Sequence, residues 1–233
     1  MCSRHGLRWC GLLALGLIGS PEGLSAQEYK YEIGVALGSA YYVGELGDRG
    51  AFGRQGASLA LTLRHPLGLR WAWTSQLGYR RLRGALSPTS RAFPTIGDRA
   101  FSRGIIDLSL GGEYHFFAYS DGQRYLGTRS WTPYLGAGLG LVLGRGYPHT
   151  LIAPSAYLTL GVKYRLSHRL DLTASWTHHR SGTDRLEVTG AGSAWMANPH
   201  GWGDAGLKGH DSYGYWSLGI SWRVGRTSGE GCY

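Results

Sequence analysis

The most constraining feature of this sequence is a strict alternation of side chains from Tyr29 to Ser39. Tyr, Ile, Val or Leu occupies each odd position from 29 to 37, and Lys, Glu or a very small residue occupies each even position. A period of two places these two sets on opposite faces of a β-strand. Strands of membrane barrels turn the apolar face to lipid and the polar or small face to the lumen. The alternation is therefore typical of a transmembrane strand.

The same alternation recurs in seven further segments, which predicts an all-β fold: an eight-stranded antiparallel transmembrane β-barrel. An even strand count is the rule for single-chain bacterial barrels. The mean hydropathy of -0.20 argues against a helical membrane protein, but it suits a barrel because only half of each strand is apolar. The further predicted strands are 57–64, 69–80, 105–116, 133–143, 156–166, 170–179 and 213–224.

The first 26 residues are predicted to be a cleaved signal peptide, which leaves 27–233 as the outer-membrane β-barrel domain. Arg4 and Arg8 give a positive start, residues 10–18 form a short apolar run, and Ala26 ends a small-residue cleavage site. The apolar run is too short to span a bilayer as a helix. Export followed by barrel formation predicts that the mature chain lies in the bacterial outer membrane.

Cleavage also changes the cysteine content and the charge. Cys232 becomes the only cysteine, so neither a disulfide framework nor a thiol metal cluster is expected. The nine histidines are dispersed without a repeated ligand spacing, and we expect no metal or cofactor. The mature chain keeps 22 basic and 14 acidic residues, a formal charge of +8. An exported protein does not meet nucleic acid. We therefore expect the excess of basic residues to contact outer-membrane lipid headgroups and to form ion pairs in the lumen.

Loop lengths and aromatic positions orient the predicted barrel. The short turns 65–68 and 167–169 are expected in the periplasm, and the longer loops near 45, 90, 148 and 195 outside the cell. The connection 117–132 is long for a periplasmic turn. Trp and Tyr gather at both strand ends, as interfacial belts do. The periplasmic belt would hold Tyr29, Tyr31, Trp71, Trp73, Tyr114, Phe116, Tyr164 and Trp222, and the outer belt Tyr41, Tyr79, Tyr157, Trp176, Tyr215 and Trp216.

Charged residues on the predicted inner face indicate a plugged lumen. An eight-stranded barrel is just wide enough for its own side chains. An unpaired charge in such an interior costs on the order of several kcal/mol, so opposite charges should pair. We therefore expect a salt-bridged interior and no open pore. The inner-face cations are Lys30, Arg64, Arg70, Arg80, Lys163, Arg165 and Arg223, and the anions are Glu32, Asp107, Glu113 and Asp171.

One segment at the outer end of the seventh strand contains residues that an enzyme could use. His179 and Ser181 resemble the His-x-Ser pair of outer-membrane lipid A deacylases, which act on lipid from the outer face of a barrel. The strand phase points both side chains into the lumen instead, and the asparagine that follows the serine in those enzymes is absent. We therefore expect no catalytic residues. A lipid A-modifying enzyme is the second hypothesis, and a surface lipid-binding or adhesion barrel is the third.

Six arginines between positions 80 and 103 surround one outer loop. Contact with the phosphates of a surface glycolipid would explain them, and so would an ordinary solvated loop. The sequence favours neither interpretation.

Five segments of the mature chain carry a family resemblance. The first, 31–46, is similar to E-I-G…G-G-S-x-Y-x-G-D-L, with Glu45 in place of Asp; the others are 133–140, 161–166, 183–187 and 209–213. Residues 183–187 resemble T-D-Y-L-D-D with an arginine in place of the aromatic residue, and 209–213 resemble the D-x-Y that opens a last strand. Together they resemble a family of small outer-membrane barrels from Bacteroidota that includes PorG of the type IX secretion system.

The resemblance implies a non-catalytic barrel that helps to assemble a protein secretion machinery. In that machinery such a barrel docks, on its periplasmic side, with a ring lipoprotein and its partner. The connection 117–132 is then a candidate periplasmic contact. The motif residues that carry over as structural or partner contacts are Ser39, Tyr41, Gly44, Glu45, Thr183, Asp184, Leu186, Asp211 and Tyr213.

Overall fold

The chain forms eight β-strands that close into an antiparallel barrel in sequence order, which confirms the predicted fold class. The computed structural model describes residues 31–44, 54–85, 100–119, 129–144, 150–167, 169–183, 186 and 211–225. The strands are β1 (Tyr31–Val43), β2 (Gly56–Pro66), β3 (Trp71–Ala85), β4 (Ala100–His115), β5 (Trp131–Gly144), β6 (Leu151–Arg165), β7 (Leu170–Ser181) and β8 (Ser212–Val224). β1 pairs with both β2 and β8, which closes the sheet. No helix in the described ranges is long and apolar enough to cross a membrane.

The two faces of the barrel have the inverted polarity of a membrane protein. Leu37, Leu139 and Leu218 point outward and are 66%, 71% and 65% exposed. Charged inner-face residues such as Glu32 and Lys163 are fully buried. An apolar outer band around a polar interior is the arrangement that hydrocarbon requires, because lipid solvates the leucines and cannot solvate the charges.

Aromatic residues gather at both ends of the outer face, with two corrections to the predicted outer belt. Tyr215 is fully buried inside the lumen, and Tyr157 stacks there on His179 with ring centroids 5.3 Å apart. Both were predicted at a lipid interface, but each belongs to the inward phase of its strand, so its hydroxyl and ring fill the barrel. The belt residues that are exposed include Tyr31, Trp71, Trp73, Tyr79, Tyr164, Trp216 and Trp222.

Arg70 is a further correction, because it was predicted to point into the lumen. β3 begins at Trp71, and Arg70 lies exposed in the preceding turn, where its Nη1 donates to the Tyr114 hydroxyl at 3.3 Å. The alternation of the strand does not extend into the turn. Arg70 therefore sits at the periplasmic rim and adds no charge to the interior.

Several strands reach farther outward than the alternation predicted. β3 and β4 stay paired up to Ala85 opposite Ala100, and β6 begins at Leu151. In the paired ends of β3 and β4, Leu82 and Phe101 face inward and are buried, whereas Arg81 faces outward and is exposed. The outward apolar residues that mark a membrane strand are therefore interrupted at these ends.

Glycines on the inner face leave room for tyrosine rings. A Cβ on Gly161 would lie 2.5 Å from the Tyr134 ring. A Cβ on Gly138 would lie 2.1 Å from the Leu110 carbonyl oxygen and 2.8 Å from the Tyr157 ring. β4 and β5 approach each other closely at this level, so a side chain at position 138 would force the two backbones apart.

Candidate functional site

The periplasmic half of the lumen contains a buried ion network centred on Glu32. Its carboxylate accepts hydrogen bonds from Arg64 Nη1 at 2.9 Å, Lys163 Nζ at 2.8 Å and Ser221 Oγ at 2.5 Å. Arg64 also contacts Glu113 Oε2 through its Nε at 3.0 Å. Two cations and two anions therefore balance in this network. The predicted salt-bridged interior is confirmed at this level of the barrel.

Tyr119 closes the periplasmic mouth below this network. It follows β4 in the connection 117–132, and its hydroxyl donates to Asp171 Oδ1 at 2.7 Å. Arg223 holds the same carboxylate with two bonds, Nε to Oδ2 at 2.8 Å and Nη2 to Oδ1 at 2.6 Å. The guanidinium groups of Arg165 and Arg223 lie 4.8 and 5.2 Å from the Tyr119 ring centroid. Burial and the Asp171 carboxylate raise the pKa of Tyr119, so the hydroxyl stays a donor.

The outer half of the lumen is organised around Arg80. Its Nε lies 3.5 Å from Asp107 Oδ2, and its Nη1 donates to the Leu59 carbonyl at 2.6 Å. The guanidinium carbon lies 3.9 Å from the Tyr215 ring centroid, which is cation–π distance. The Tyr215 hydroxyl in turn donates to Gln76 Oε1 at 2.5 Å. This layer confirms the predicted pairing of Arg80 with an inner-face acid.

Above Arg80 the lumen also contains an apolar cluster, which is closed by Leu186 from the connection between β7 and β8. Leu186 is fully buried in a cluster of inward-facing side chains. Its amide donates to Asp211 Oδ2 at 2.9 Å, and its carbonyl accepts from Arg103 Nη1 at 2.7 Å. The Tyr42 hydroxyl also donates to Asp211. The other apolar members are Ala40, Leu82, Phe101, Ile105, Val142 and Leu151.

Four of the predicted motif residues meet at this outer closure. Gly44 lies against it, since a Cβ there would be 2.6 Å from Asp211 Oδ1. The Asp211 amide donates to the Thr183 carbonyl at 3.1 Å, and Leu186 is held by the Asp211 side chain. The tertiary structure thus joins segments that are up to 167 positions apart in the sequence, from Gly44 to Asp211. The sequence motifs contain these residues, but nothing in the motifs indicates that they meet.

The remaining motif residues lie elsewhere. Ser39 donates to Gln55 Oε1 at 2.6 Å in an exposed position, and Tyr41 packs on the outer wall of the barrel. Tyr213 faces the lumen and stacks on His179 with ring centroids 4.7 Å apart. Glu45 and Asp184 fall outside the described residues, as do the predicted signal peptide and Lys30.

His179 and Ser181 both face the lumen, as their strand phase predicted. His179 is stacked between Tyr213 and Tyr157, and neither ring nitrogen has a hydrogen-bond partner in the described part of the chain. Ser181 Oγ donates to the Thr183 carbonyl at 2.9 Å. A serine nucleophile needs a base within hydrogen-bond reach and a path to the lipid. The geometry of this pair therefore gives no support to a deacylase.

Two features of the site were missed by sequence reasoning. Tyr119 lies outside every alternating segment, and Leu186 was named only as part of a motif, yet each closes one mouth of the barrel. The unusual length of the connection 117–132 was the one signal for Tyr119. Among the described residues, no three His, Cys, Asp or Glu side chains are arranged to hold a metal ion.

Comparison with known proteins identifies the fold. No family profile and no curated protein sequence matches the chain. The crystal structure of Neisserial surface protein A superposes with a TM-score of 0.51 at 14% identity, covering 83% of this chain and 97% of that protein. Ail of Yersinia pestis gives 0.48 at 11% identity over 85% and 100%, and OprG of Pseudomonas aeruginosa 0.46 at 10% identity over 85% and 97%.

The likeness to the Neisserial barrel agrees with the geometry on the fold, and none of these comparisons links the chain to the Bacteroidota family whose motifs it resembles. The likeness to the Neisserial barrel establishes the architecture of a small outer-membrane barrel. The exposed leucines and the two aromatic ends independently show a surface made for lipid. The chain is a small, closed β-barrel of a bacterial outer membrane.

Proposed function

We propose that this chain is a non-catalytic structural or assembly component of the outer membrane that docks protein partners on its periplasmic side. The observation that carries the proposal is the anchoring of the connection 117–132 at the periplasmic mouth by Tyr119. The finer assignment is to a type IX secretion machinery, with a ring lipoprotein and its partner as the docked proteins. That assignment rests on the motif resemblance.

The filled interior supports a binding role over a transport role. The ion network around Glu32 lies across the lumen between Arg64 and Lys163, and every charge in it is paired. Moving a solute past it would require breaking buried ion pairs, each at a cost of about 3–5 kcal/mol. Leu186 and its apolar neighbours close the outer mouth. The surfaces left for function are the two ends and the outer wall.

The connection 117–132 has the properties of a docking element because both of its ends are fixed. The Tyr119 amide donates to the Leu69 carbonyl at 3.1 Å, and the Arg129 amide donates to the Ala118 carbonyl at 3.1 Å. The Arg129 guanidinium also lies 4.4 Å from the Phe117 ring centroid. A connection whose ends are already ordered loses less conformational freedom when a partner binds.

The sequence between these anchors contains residue types that dominate protein interfaces. Residues 120–128 read Ser-Asp-Gly-Gln-Arg-Tyr-Leu-Gly-Thr, with Arg124 and Tyr125 adjacent. Arg and Tyr are enriched among residues that carry most of the binding energy of an interface. We therefore assign the partner contact to this segment.

The test is a replacement of residues 120–128 by a Gly/Ser segment of equal length, with Tyr119 retained and an affinity tag after Gly225. Complexes are recovered from detergent-solubilised native membranes and identified by mass spectrometry. We expect the parent chain to recover the ring lipoprotein and its partner, and the variant to lose both. The matched control replaces residues 187–195 of an outer connection in the same way and should keep both partners.

Two outcomes would contradict the proposal. Recovery of the same periplasmic partners by the 120–128 variant would exclude docking through this connection. A parent chain that recovers no periplasmic protein would exclude the assembly role itself. The folding of each variant is checked beforehand by the shift in gel mobility that folded barrels show on boiling, so a lost partner cannot be attributed to a lost barrel.

A further inference from the structure

A groove of about 740 Å³ crosses the outer wall of the barrel from β5 to β1. Its lining includes Leu160, Val162, Ala174, Trp176, Trp216 and Leu218. We call it the wall groove. Ala174 is small, whereas its cross-strand partners Val162 and Leu218 are large. The difference in side-chain size across three neighbouring strands makes the depression.

The position of the wall groove determines the kind of molecule that fills it. The six residues named above are on the outward phase of β6, β7 and β8 and belong to the apolar band that faces hydrocarbon. At this depth a concave apolar surface meets acyl chains and no water. Its volume lies within the range of about 300–1,000 Å³ that is typical of small-molecule sites. An acyl chain therefore suits the wall groove in both chemistry and size.

The outer end of the wall groove is bordered by a group of interacting rings. Trp176 Nε1 donates to the Tyr41 hydroxyl at 2.7 Å, and His178 stacks on both rings at centroid distances of 6.0 and 6.5 Å. The Tyr41 ring lies over Gly214, where a Cβ would be 2.3 Å from its hydroxyl oxygen. Trp216 lies 6.1 Å from Trp176. Amphipathic rings of this kind mark the level of the lipid headgroups.

A cation stands above this aromatic rim on the same face of β7. Arg180 shares the outward phase of Trp176 and His178, and it is exposed. Four residues of a strand span about 13 Å, which is about 10 Å of membrane depth at a tilt of about 40°. Arg180 therefore lies about 10 Å outward of Trp176, on the headgroup side of the aromatic rim. At the membrane surface, lipid phosphates are available to pair with an outward-facing guanidinium.

We propose that the wall groove and Arg180 form a binding site for a phosphorylated glycolipid of the outer leaflet. One acyl chain lies along Ala174 below the rings of Trp176 and Trp216. The guanidinium of Arg180 binds the phosphate, and His178 offers a further hydrogen bond to the headgroup. The site belongs to the outer leaflet because the rim and Arg180 lie at the outer end of β7.

The proposal is tested by titrating bisphosphorylated lipid A, or the same lipid A with one phosphate removed, into the detergent-solubilised protein. The bound fraction is measured by native mass spectrometry. We expect the parent chain to prefer the bisphosphorylated form. Arg180→Gln should weaken that form about fivefold, which corresponds to about 1 kcal/mol. Ala174→Phe should weaken both forms, because the new ring occupies the floor of the wall groove.

Each variant has a matched control. Arg70→Gln removes an exposed arginine at the periplasmic rim, and Ala137→Phe enlarges an outward alanine outside the lining of the wall groove. Both should bind lipid A like the parent chain. If Ala174→Phe does not fold, Ala174→Leu replaces it.

Equal binding by the parent chain and Arg180→Gln would overturn the phosphate assignment. Equal loss of binding in the Ala174 and Ala137 variants would overturn the wall groove as the acyl site. The proposal also fails if the parent chain binds phosphatidylethanolamine as tightly as bisphosphorylated lipid A.

Discussion

Glu32→Gln should destabilise this barrel more than any exposed substitution, because Glu32 is the anion shared by two cations. Removing its charge leaves Arg64 and Lys163 with Glu113 as the remaining anion of the network. The glutamine can still accept the hydrogen bond from Ser221, which contacts Glu32 at 2.5 Å. The variant therefore changes the charge of the network by one unit while the shape of the side chain is almost unchanged.

The expected loss of stability follows from the two ion pairs that the substitution of Glu32 breaks. At separations of 2.9 Å to Arg64 and 2.8 Å to Lys163, each attraction is worth about 6 kcal/mol in a medium of effective dielectric constant about 20. Much of that is offset by the desolvation of the carboxylate, which glutamine avoids. Removing one partner of a buried ion pair typically lowers the free energy of unfolding by about 3–5 kcal/mol. We expect a loss in that range.

The assay is reversible urea unfolding of the barrel in vesicles, followed by tryptophan fluorescence and by gel mobility. Glu32→Gln combined with Lys163→Met restores charge balance, so we expect the double variant to recover at least half of the loss. Arg70→Gln, at the exposed rim, should change the free energy of unfolding by less than about 0.5 kcal/mol. A loss below about 1 kcal/mol in Glu32→Gln would refute the argument, because it would mean that water solvates these charges and the lumen is open.

Three further predictions test the close packing and the two closures. Gly138→Ala should lower the free energy of unfolding by about 1–3 kcal/mol, because a backbone oxygen occupies the Cβ position. The control, Gly112→Ala, should lower it by less than about 0.5 kcal/mol, because its Cβ would meet nothing within 4 Å. Equal urea midpoints for the two variants would contradict this prediction. Asp211→Ala should release the connection between β7 and β8, because it removes hydrogen bonds to a charged side chain. Trypsin added to intact cells should then cleave this connection about tenfold faster. An unchanged cleavage rate would mean that Asp211 does not hold the connection in place. Tyr119→Phe should lower the free energy of unfolding by about 1.5–3 kcal/mol. Tyr114→Phe should have little effect, because Tyr114 is half-buried on the outward phase and its hydroxyl contacts the exposed Arg70. Equal effects would exclude a plug at the periplasmic mouth.

The faces of the strands were predictable because a period of two is a local property. Each of the eight strands could be recognised from ten or so consecutive residues, and β1 shows why: Ile33 and Leu37 on one phase are exposed to lipid, and Glu32 on the other is buried. The strand ends were less predictable. At the outer ends of β3 and β4, Leu82 and Phe101 face inward and Arg81 faces outward, so the alternation of outward apolar residues does not mark these ends.

The contacts of the candidate site were not predictable in the same way. Inner-face charges could be named, and their pairing follows from the cost of isolated charge, but which cation meets which anion depends on the closure of the sheet. Glu32 meets Lys163 across the lumen, 131 positions away in the sequence. Arg70 shows where strand phase misleads. Its position matches the inward phase of β3, but it lies one residue before the strand begins and is exposed.

The sequence by itself determined that this chain is an eight-stranded membrane barrel with a charged interior. The alternation, the inward glycines and the aromatic strand ends are all local features that can be recognised within single segments of the chain. Only the tertiary structure decided that the barrel is closed at both mouths, by Tyr119 below and by Leu186 above. It also decided that Trp176, Tyr41 and Arg180 stand together on one wall. The physical reason is that strand phase is set by neighbours in the chain, whereas plugs, rims and ion pairs are set by strand register and barrel closure, which bring distant segments within a few ångströms.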